Sequence, residues 1–257
     1  MKKILLFLLV LPFVSLSQFT VIADANFEQA LIDLGHDSGI PDGQVSTANI
    51  TGVTTLNLNS KFINDLTGIQ DFTALTVLRL YDNQLTSLDV TQNTNLTILY
   101  CDLNQLTSLD VTQNTALIEL TCAYNLLTSL DLSQNSSLTE LACMNNLSLN
   151  CLNVKNGNNN NIIYFFVDDN PSLTCIDVDD VNYSSANWSF VPPGVIFSNN
   201  CNNTCSSSSV GIEDINNHKK ELVRIVDLLG RETTKQPNTF LIYQYGDGTS
   251  KKIMTNQ

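Results

Sequence analysis

Basic residues are the scarcest chemistry in this sequence. The 257 residues include 12 Lys and Arg against 25 Asp and Glu, a formal net charge of −13. The shortage is concentrated between Phe19 and Cys205, where Lys61, Arg79 and Lys155 stand against 19 carboxylates. Phosphate backbones are held by cationic contacts, so nucleic acid is excluded as a partner of this stretch, and an anionic membrane surface is disfavoured for the same reason. Histidine is nearly absent too. His36 and His218 are the only two, and neither sits in a motif with a serine or cysteine nucleophile, which leaves triad chemistry without its base. After the apolar run Ile4 to Val14 there is no second long hydrophobic stretch, so the mature chain is expected to have no integral membrane span.

What is abundant is repetition. Leu75, Leu78, Leu80 and Asn83 return as Leu96, Leu99, Cys101 and Asn104, then as Leu117, Leu120, Cys122 and Asn125, then as Leu138, Leu141, Cys143 and Asn146, at a stride of 21 residues. Apolar positions and one amide recurring at such a period predict a solenoid, whose coils bury their inner faces only by stacking on one another. A second motif, Leu85-Thr86-Ser87-Leu88-Asp89-Val90, recurs at Leu106 and Leu127 and is echoed at Leu149 and Leu173. Its alternation predicts an extended back to each coil, with Leu88 and Val90 inside and Asp89 outside.

The first motif resembles the leucine-rich-repeat family, whose pattern L-x-x-L-x-L-x-x-N/C-x-L it matches. The resemblance implies short parallel strands over Val77–Tyr81, Ile98–Asp102, Glu119–Ala123 and Glu140–Met144, with Leu78 and Leu80 inward and Val77, Arg79 and Tyr81 outward. Val53 to Phe72 reads as a degenerate first coil, and Ile162, Phe165, Val167 and Asn170 restore the frame after the Asn-rich run 156–161. The fold class expected is mainly β: a leucine-rich-repeat solenoid of about six coils with an N-terminal helical cap, followed by a small C-terminal β-sandwich-like domain.

The remaining segments divide the chain. Residues 1–17, with two lysines before an apolar run and small residues before Gln18, read as a secretory signal peptide. Residues 18–52 form the cap, with a helix from Asp24 to Leu34 stopped by Gly35. The loop from His36 to Gly43 lacks the full spacing and terminal glutamate of a calcium loop and reads as a surface turn. The solenoid with its closing segment occupies 53–205, a serine linker 206–210, and a new, charge-balanced segment 211–257. That last segment, through Leu222 to Val226, Leu229-Gly230-Arg231, Leu241-Ile242-Tyr243 and Asp247-Gly248-Thr249 before Lys251 and Lys252, resembles the C-terminal sorting domain of type IX secretion in Bacteroidetes-type bacteria. The resemblance implies export across the outer membrane to the cell surface or medium, with the type IX machinery as a partner.

Seven cysteines fall into two groups. Cys101, Cys122 and Cys143 hold an inward strand position and are expected as buried thiols. Cys151, Cys175, Cys201 and Cys205 lie at the end of the array, where an exported protein forms bridges. Cys175 to Cys201 is the pairing expected, tying the segment with Trp188 and Phe190 to the last coil; the pairing of Cys151 and Cys205 stays open.

No catalytic residue, cofactor or metal set is assigned. Asp89, Asp110 and Asp131 repeat a single environment, whereas acid and base roles need two. The candidate binding face is the outward side of the strands: Arg79, Tyr81, Tyr100, Asp102, Glu119, Tyr124, Glu140, Tyr164 and Phe166. Exposed aromatics among polar groups suit recognition. The function expected is a non-enzymatic exported binding protein acting in protein–protein or cell-surface interaction or adhesion, with a protein or glycan ligand. Two other classes stand beside it, a structural surface or matrix component without a defined ligand and a hydrolase.

Overall fold

The computed structural model describes residues 18–201, Cys205, and the strand backbones at 222–226, 240–245 and 250–254. The expected signal peptide, the serine linker and the turns at 229–231 and 246–248 lie outside the described residues. Two compact units meet between Ser207 and Ser208.

The first unit is a β-solenoid of about seven turns. In chain order it contains β1 (Phe19–Val21), α1 (Ala25–Asp33), β2 (Gln44–Ser46), α2 (Thr47–Ile50), β3 (Thr55–Asn57), β4 (Val77–Arg79), β5 (Ile98–Tyr100), β6 (Glu119–Thr121), β7 (Ser129–Asp131), β8 (Glu140–Ala142), β9 (Cys151–Asn153), β10 (Tyr164–Phe166), β11 (Cys175–Asp177), α3 (Val181–Asn187) and β12 (Ile196–Ser198). The front sheet is parallel, in the order β3, β4, β5, β6, β8, β10, and the back sheet is parallel in the order β7, β9, β11, β12. Asp89 and Asp110 form a single parallel bridge on the earlier coils. The back of each coil is thus extended, with Leu88, Val90, Leu109 and Val111 buried.

Counting about six coils from sequence falls one short. Phe190 forms a parallel bridge with Phe166 on the front, and β12 pairs with β11 on the back. The closing segment is therefore itself a turn of the solenoid, disguised because its inward positions no longer follow the 21-residue leucine pattern. The strands are also shorter than expected. Each front strand holds three residues, because the chain bends into a left-handed residue at Asp82, Leu103, Tyr124, Asn145 and Asp169.

Two columns of buried amides join the coils. Asn104 donates through Nδ2 to Leu80 O (2.9 Å) on the preceding coil and to Cys101 O (3.1 Å), while its Oδ1 accepts Leu85 N–H (3.0 Å). Asn83, Asn125 and Asn146 repeat this arrangement. The second column, which the sequence reading missed, is Asn93, Asn114, Asn135 and Asn156. Asn114 donates to Val90 O (3.0 Å) and Asn93 O (2.9 Å), but its Oδ1 has no partner. Its signal is the Asn of Thr91-Gln92-Asn93, which recurs at 21 residues at Asn114 and Asn135.

Both ends of the array are sealed. Asp24 caps α1 by accepting from Asn26 N–H (2.7 Å) and Phe27 N–H (3.1 Å), and its other oxygen accepts from Asn64 (2.8 Å) and Asp65 (3.2 Å) of the first coil. Phe27 packs against Phe72, 6.2 Å between rings. Gly35, at φ 78°, ends the helix, and His36 N–H returns to Leu31 O. Buried Glu28 holds the following loop by accepting from Asp42 and Gly43 N–H. An antiparallel pair, β1–β2, precedes the first coil and is announced by no alternation in the sequence. Gly68 is required beside it, since a Cβ there would lie 2.6 Å from Val21 O. At the far end Trp188 stacks on Phe165 at 3.9 Å and donates to Ile162 O. Disulfides join Cys151 to Cys205 and Cys175 to Cys201, with Cα–Cα distances of 5.3 and 5.8 Å.

The second unit has β13 (Leu222–Val226), β14 (Phe240–Tyr245) and β15 (Ser250–Met254) in one antiparallel sheet of that order.

The two amide columns differ in how completely they are bonded, and this difference is measurable. Replacing Asn104 by Ala strands the buried Leu85 N–H and takes one of two donors from Leu80 O and Cys101 O, which keep Asn83 and Asn125, and costs about 2–3 kcal/mol. Asn114→Ala strands no N–H, leaves Val90 O and Asn93 O with their backbone donors, and also removes an unpaired buried oxygen, so the loss is smaller, about 1 kcal/mol. Chemical denaturation of the two variants beside wild type checks the order; equal losses would contradict it.

Candidate protein-binding face

Alternation along each three-residue strand sends the central leucine or phenylalanine inward and the flanking residues out. Parallel pairing then lines the outward residues into two rows. Val77, Ile98, Glu119, Glu140 and Tyr164 are in register, as are Arg79, Tyr100, Thr121, Ala142 and Phe166. Neighbours within a row are about 5 Å apart, close enough for side chains to touch.

At the centre of the face these side chains bond to each other. The Arg79 guanidinium lies over the Tyr100 ring, 5.5 Å from its centroid. The Tyr100 hydroxyl donates to a carboxylate oxygen of Glu119. That hydrogen bond, reinforced by partial burial, pushes the phenol up to about 12. Burial, and then the neighbouring Glu119, raise the Glu140 carboxyl above the ordinary range. Asp102 is half-buried beyond the end of β5, where it accepts from Thr121 Oγ1 and from Ala123 N–H (2.9 Å). Its desolvation outweighs these bonds and raises its pKa.

Toward the last coils the face becomes aromatic. Tyr164 and Phe166 lie 6.4 Å apart and nearly parallel, and Phe190 joins them at 4.9 Å from Phe166. With Ile163, Asn187 and Ser189 they line a cleft of about 230 Å³. Phe190 was not among the residues expected on this face; its bridge to Phe166 puts it there.

Three expected face residues lie past the strand ends: Tyr81 beyond β4, Asp102 beyond β5, and Tyr124 at a left-handed corner beyond β6, with Tyr81 and Tyr124 exposed. Tyr100 and Phe166 share a row but are separated by Thr121 and Ala142, so the aromatics form a centre and an end rather than one patch.

Other candidate chemistry is occupied by structure. Asp89, Asp110 and Asp131 each accept the backbone N–H two residues on, at Thr91, Thr112 and Ser133, and the threonine hydroxyls add a second bond in the first two. These bonds hold Asp89 below the usual carboxylate range. A groove of about 380 Å³ runs beside Asp65 and Asp89, whose carboxylates already accept from Thr67 and Thr91. Cys101, Cys122 and Cys143 are buried thiols; burial pushes Cys101 and Cys122 well up and Cys143 to about 12, which suppresses the reactive thiolate.

Solved structures similar to this chain are leucine-rich-repeat proteins. One is the functional domain of InlJ from Listeria monocytogenes, described as including a cysteine ladder, at 32% identity and a TM-score of 0.47. It is matched over 63% of this chain and 38% of its own. An internalin of the same organism, InlF, is 18% identical over 69% of this chain and 56% of its own, at a TM-score of 0.45. A leucine-rich-repeat protein of Leptospira interrogans is 16% identical over 63% and 47%, at 0.41. The chain thus spans less than two thirds of each of these three. No protein-family model and no curated protein matches it.

The raised carboxyl of Asp102 makes stability depend on pH in a defined direction. Unfolded, it titrates near 3.8; folded, it titrates higher. Its favourable contribution is therefore complete below 3.8 and lost as pH rises through the folded value. Asp102→Asn keeps an acceptor for Ala123 N–H without the buried charge, so it melts above wild type at pH 7, and the gap narrows toward pH 4. Paired thermal melts at the two pH values check this; a gap independent of pH would contradict it.

Proposed function

We propose that this is an exported leucine-rich-repeat binding protein whose outward strand face captures a protein partner at the cell surface or in the medium. The observation that supports this most is the organised contact run Arg79, Tyr100 and Glu119 on the exposed side of the front sheet. The solenoid needs only its inward leucines and ladder asparagines to stack, so these outward groups answer to something else. Held in place before binding, they lose little side-chain freedom on contact. Rings with polar edges beside charges are the residue types that dominate recognition energetics.

A second reading is attached to a specific feature. The Tyr164, Phe166 and Phe190 rings present flat apolar faces around a cleft the size of one sugar ring, which favours a glycan at that end. Delivery is assigned to residues 1–17 as a signal peptide and to 211–257 as a type IX sorting domain, on the resemblance of those residues.

Immobilised full chain retains its partner from the native secretome, and Tyr100→Ala combined with Phe166→Ala lowers capture at least about tenfold without moving the melting temperature. Periodate treatment of the secretome destroys glycans and spares proteins, so loss of capture after it would move the ligand to the glycan class. Capture undiminished by the double variant would remove the strand face from the account. Separately, a chain lacking Val210 to Gln257 is expected to stay in the periplasm with its solenoid protected from limited proteolysis. Its efficient appearance outside the cell would refute the sorting role.

A further inference from the structure

We infer that the corner following the front sheet is a second docking surface, and that its occupant is a polypeptide segment with an apolar middle and cationic ends. The inference is independent of the strand face and stands even if that face has no ligand.

It begins with the backbone. In five successive coils the residue before the ladder asparagine is left-handed: Asp82 (φ 57°), Leu103 (52°), Tyr124 (54°), Asn145 (57°) and Asp169 (56°). Asp and Asn visit this region readily because their short polar side chains bond locally, whereas for leucine or tyrosine the Cβ crowds the following carbonyl. Leu103 and Tyr124 accept that strain without gaining burial, being 38% and 49% exposed. Two residues past the corner, Leu126 and Leu147 stand 53% and 62% exposed where the preceding coils carry Gln84 and Gln105. Tyr81 continues the ridge on the earlier coil. Folding explains none of these choices, since neighbouring coils meet the same geometry with polar residues. Strained, exposed apolar side chains in one column mark a surface kept for contact.

Charge selects the occupant. Asp82 flanks one end of the ridge, and Asp168 and Asp169 the other. Among the described residues the ion pair found is Lys61 with Asp33, so no cation answers these three carboxylates. Asp168 is incomplete in a further way. The equivalent oxygen of Asp102 accepts Ala123 N–H from the next coil. The Phe166–Phe190 register sets Pro192 opposite Asp168, and proline has no N–H. Asp168 Oδ1 is accordingly buried without a partner at the end of the ridge. From the coil of Asp82 to that of Asp169 is four coil spacings, about 20 Å, the length of about 13 helical residues. Lysine or arginine at the ends of such a segment meets the carboxylates while its middle covers Leu103, Tyr124, Leu126 and Leu147. A second copy of this chain would bring the same acidic rim against itself, which like charge opposes.

The test uses the full chain and a labelled helical peptide of about 14 residues with leucines on one face and lysines at both ends, beside the same peptide with glutamates at the ends. Fluorescence anisotropy is expected to show binding of the lysine probe, weakening with salt, and none of the glutamate probe. Leu103→Asn combined with Tyr124→Asn installs the residue already used at Asn145, so it melts at or above wild type while binding the lysine probe at least about tenfold more weakly. Tyr100→Ala on the strand face leaves the probe's affinity unchanged. Retained binding by the corner variant, equal binding of both probes, or loss on Tyr100→Ala alone would each overturn the inference. So would sedimentation showing that wild type self-associates and the corner variant does not, which would make the ridge a contact between copies.

Discussion

A coil of this solenoid cannot satisfy its own turns. Where the chain leaves the front strand, the carbonyls of Leu80, Cys101, Cys122 and Cys143 point along the array with no strand to receive them, and an amide from the following coil answers each one. Buried carbonyls without donors are costly, so the asparagine is as binding a requirement as the leucines. An amide is the right group because it donates to two coils and still accepts a backbone N–H, which neither a hydroxyl nor a carboxylate can do. The amide keeps its place where the stride changes: a coil one residue longer still brings Asn83 to Leu58 O, and the longer interval before Asn170 is accommodated by the extra Asn158 to Asn161 turn, whose own amides bond to the backbone.

Stacking solves the interior and leaves the two ends open. At the start, one carboxylate does two tasks: Asp24 begins a helix with one oxygen and takes two N–H groups of the first coil with the other. At the finish there is an aromatic lid and covalent closure. Trp188 covers Phe165, and two disulfides fix the last back strands to the residues that leave them. The division of cysteines reflects geometry. In-register parallel neighbours hold Cys101, Cys122 and Cys143 side by side in the core, while the bridges join Cys151 on β9 and Cys175 on β11 to cysteines that follow β12.

Because burial and amide bonding are met by inward positions, the outside is free to specialise, and it does so unevenly. The back of each coil is given to Asp–Thr turns that finish local hydrogen bonding. The front carries a cation, a phenol and a carboxylate in contact at its centre and bare rings at its end. Between Phe19 and Cys205, carboxylates far outnumber the three cations, so electrostatics on the solenoid favours partners of opposite charge and disfavours self-association.

The solenoid, its leucine core, the first amide ladder and the helix capped by Asp24 are all legible in the order of residues alone. Each follows from a local rule of period, alternation or capping that residues within one repeat obey. That order also marked Cys175 and Cys201 as partners by position. Other features depend on where neighbouring coils place one another. Phe190 enters the front sheet although no leucine pattern announces a seventh turn, and Tyr124 leaves the face because it is itself the left-handed residue at the bend before Asn125. The missing donor opposite Asp168 belongs to the same class. A proline is visible in any reading of the chain, but that it faces a buried carboxylate is a fact of register, and register is fixed only when the coils stack.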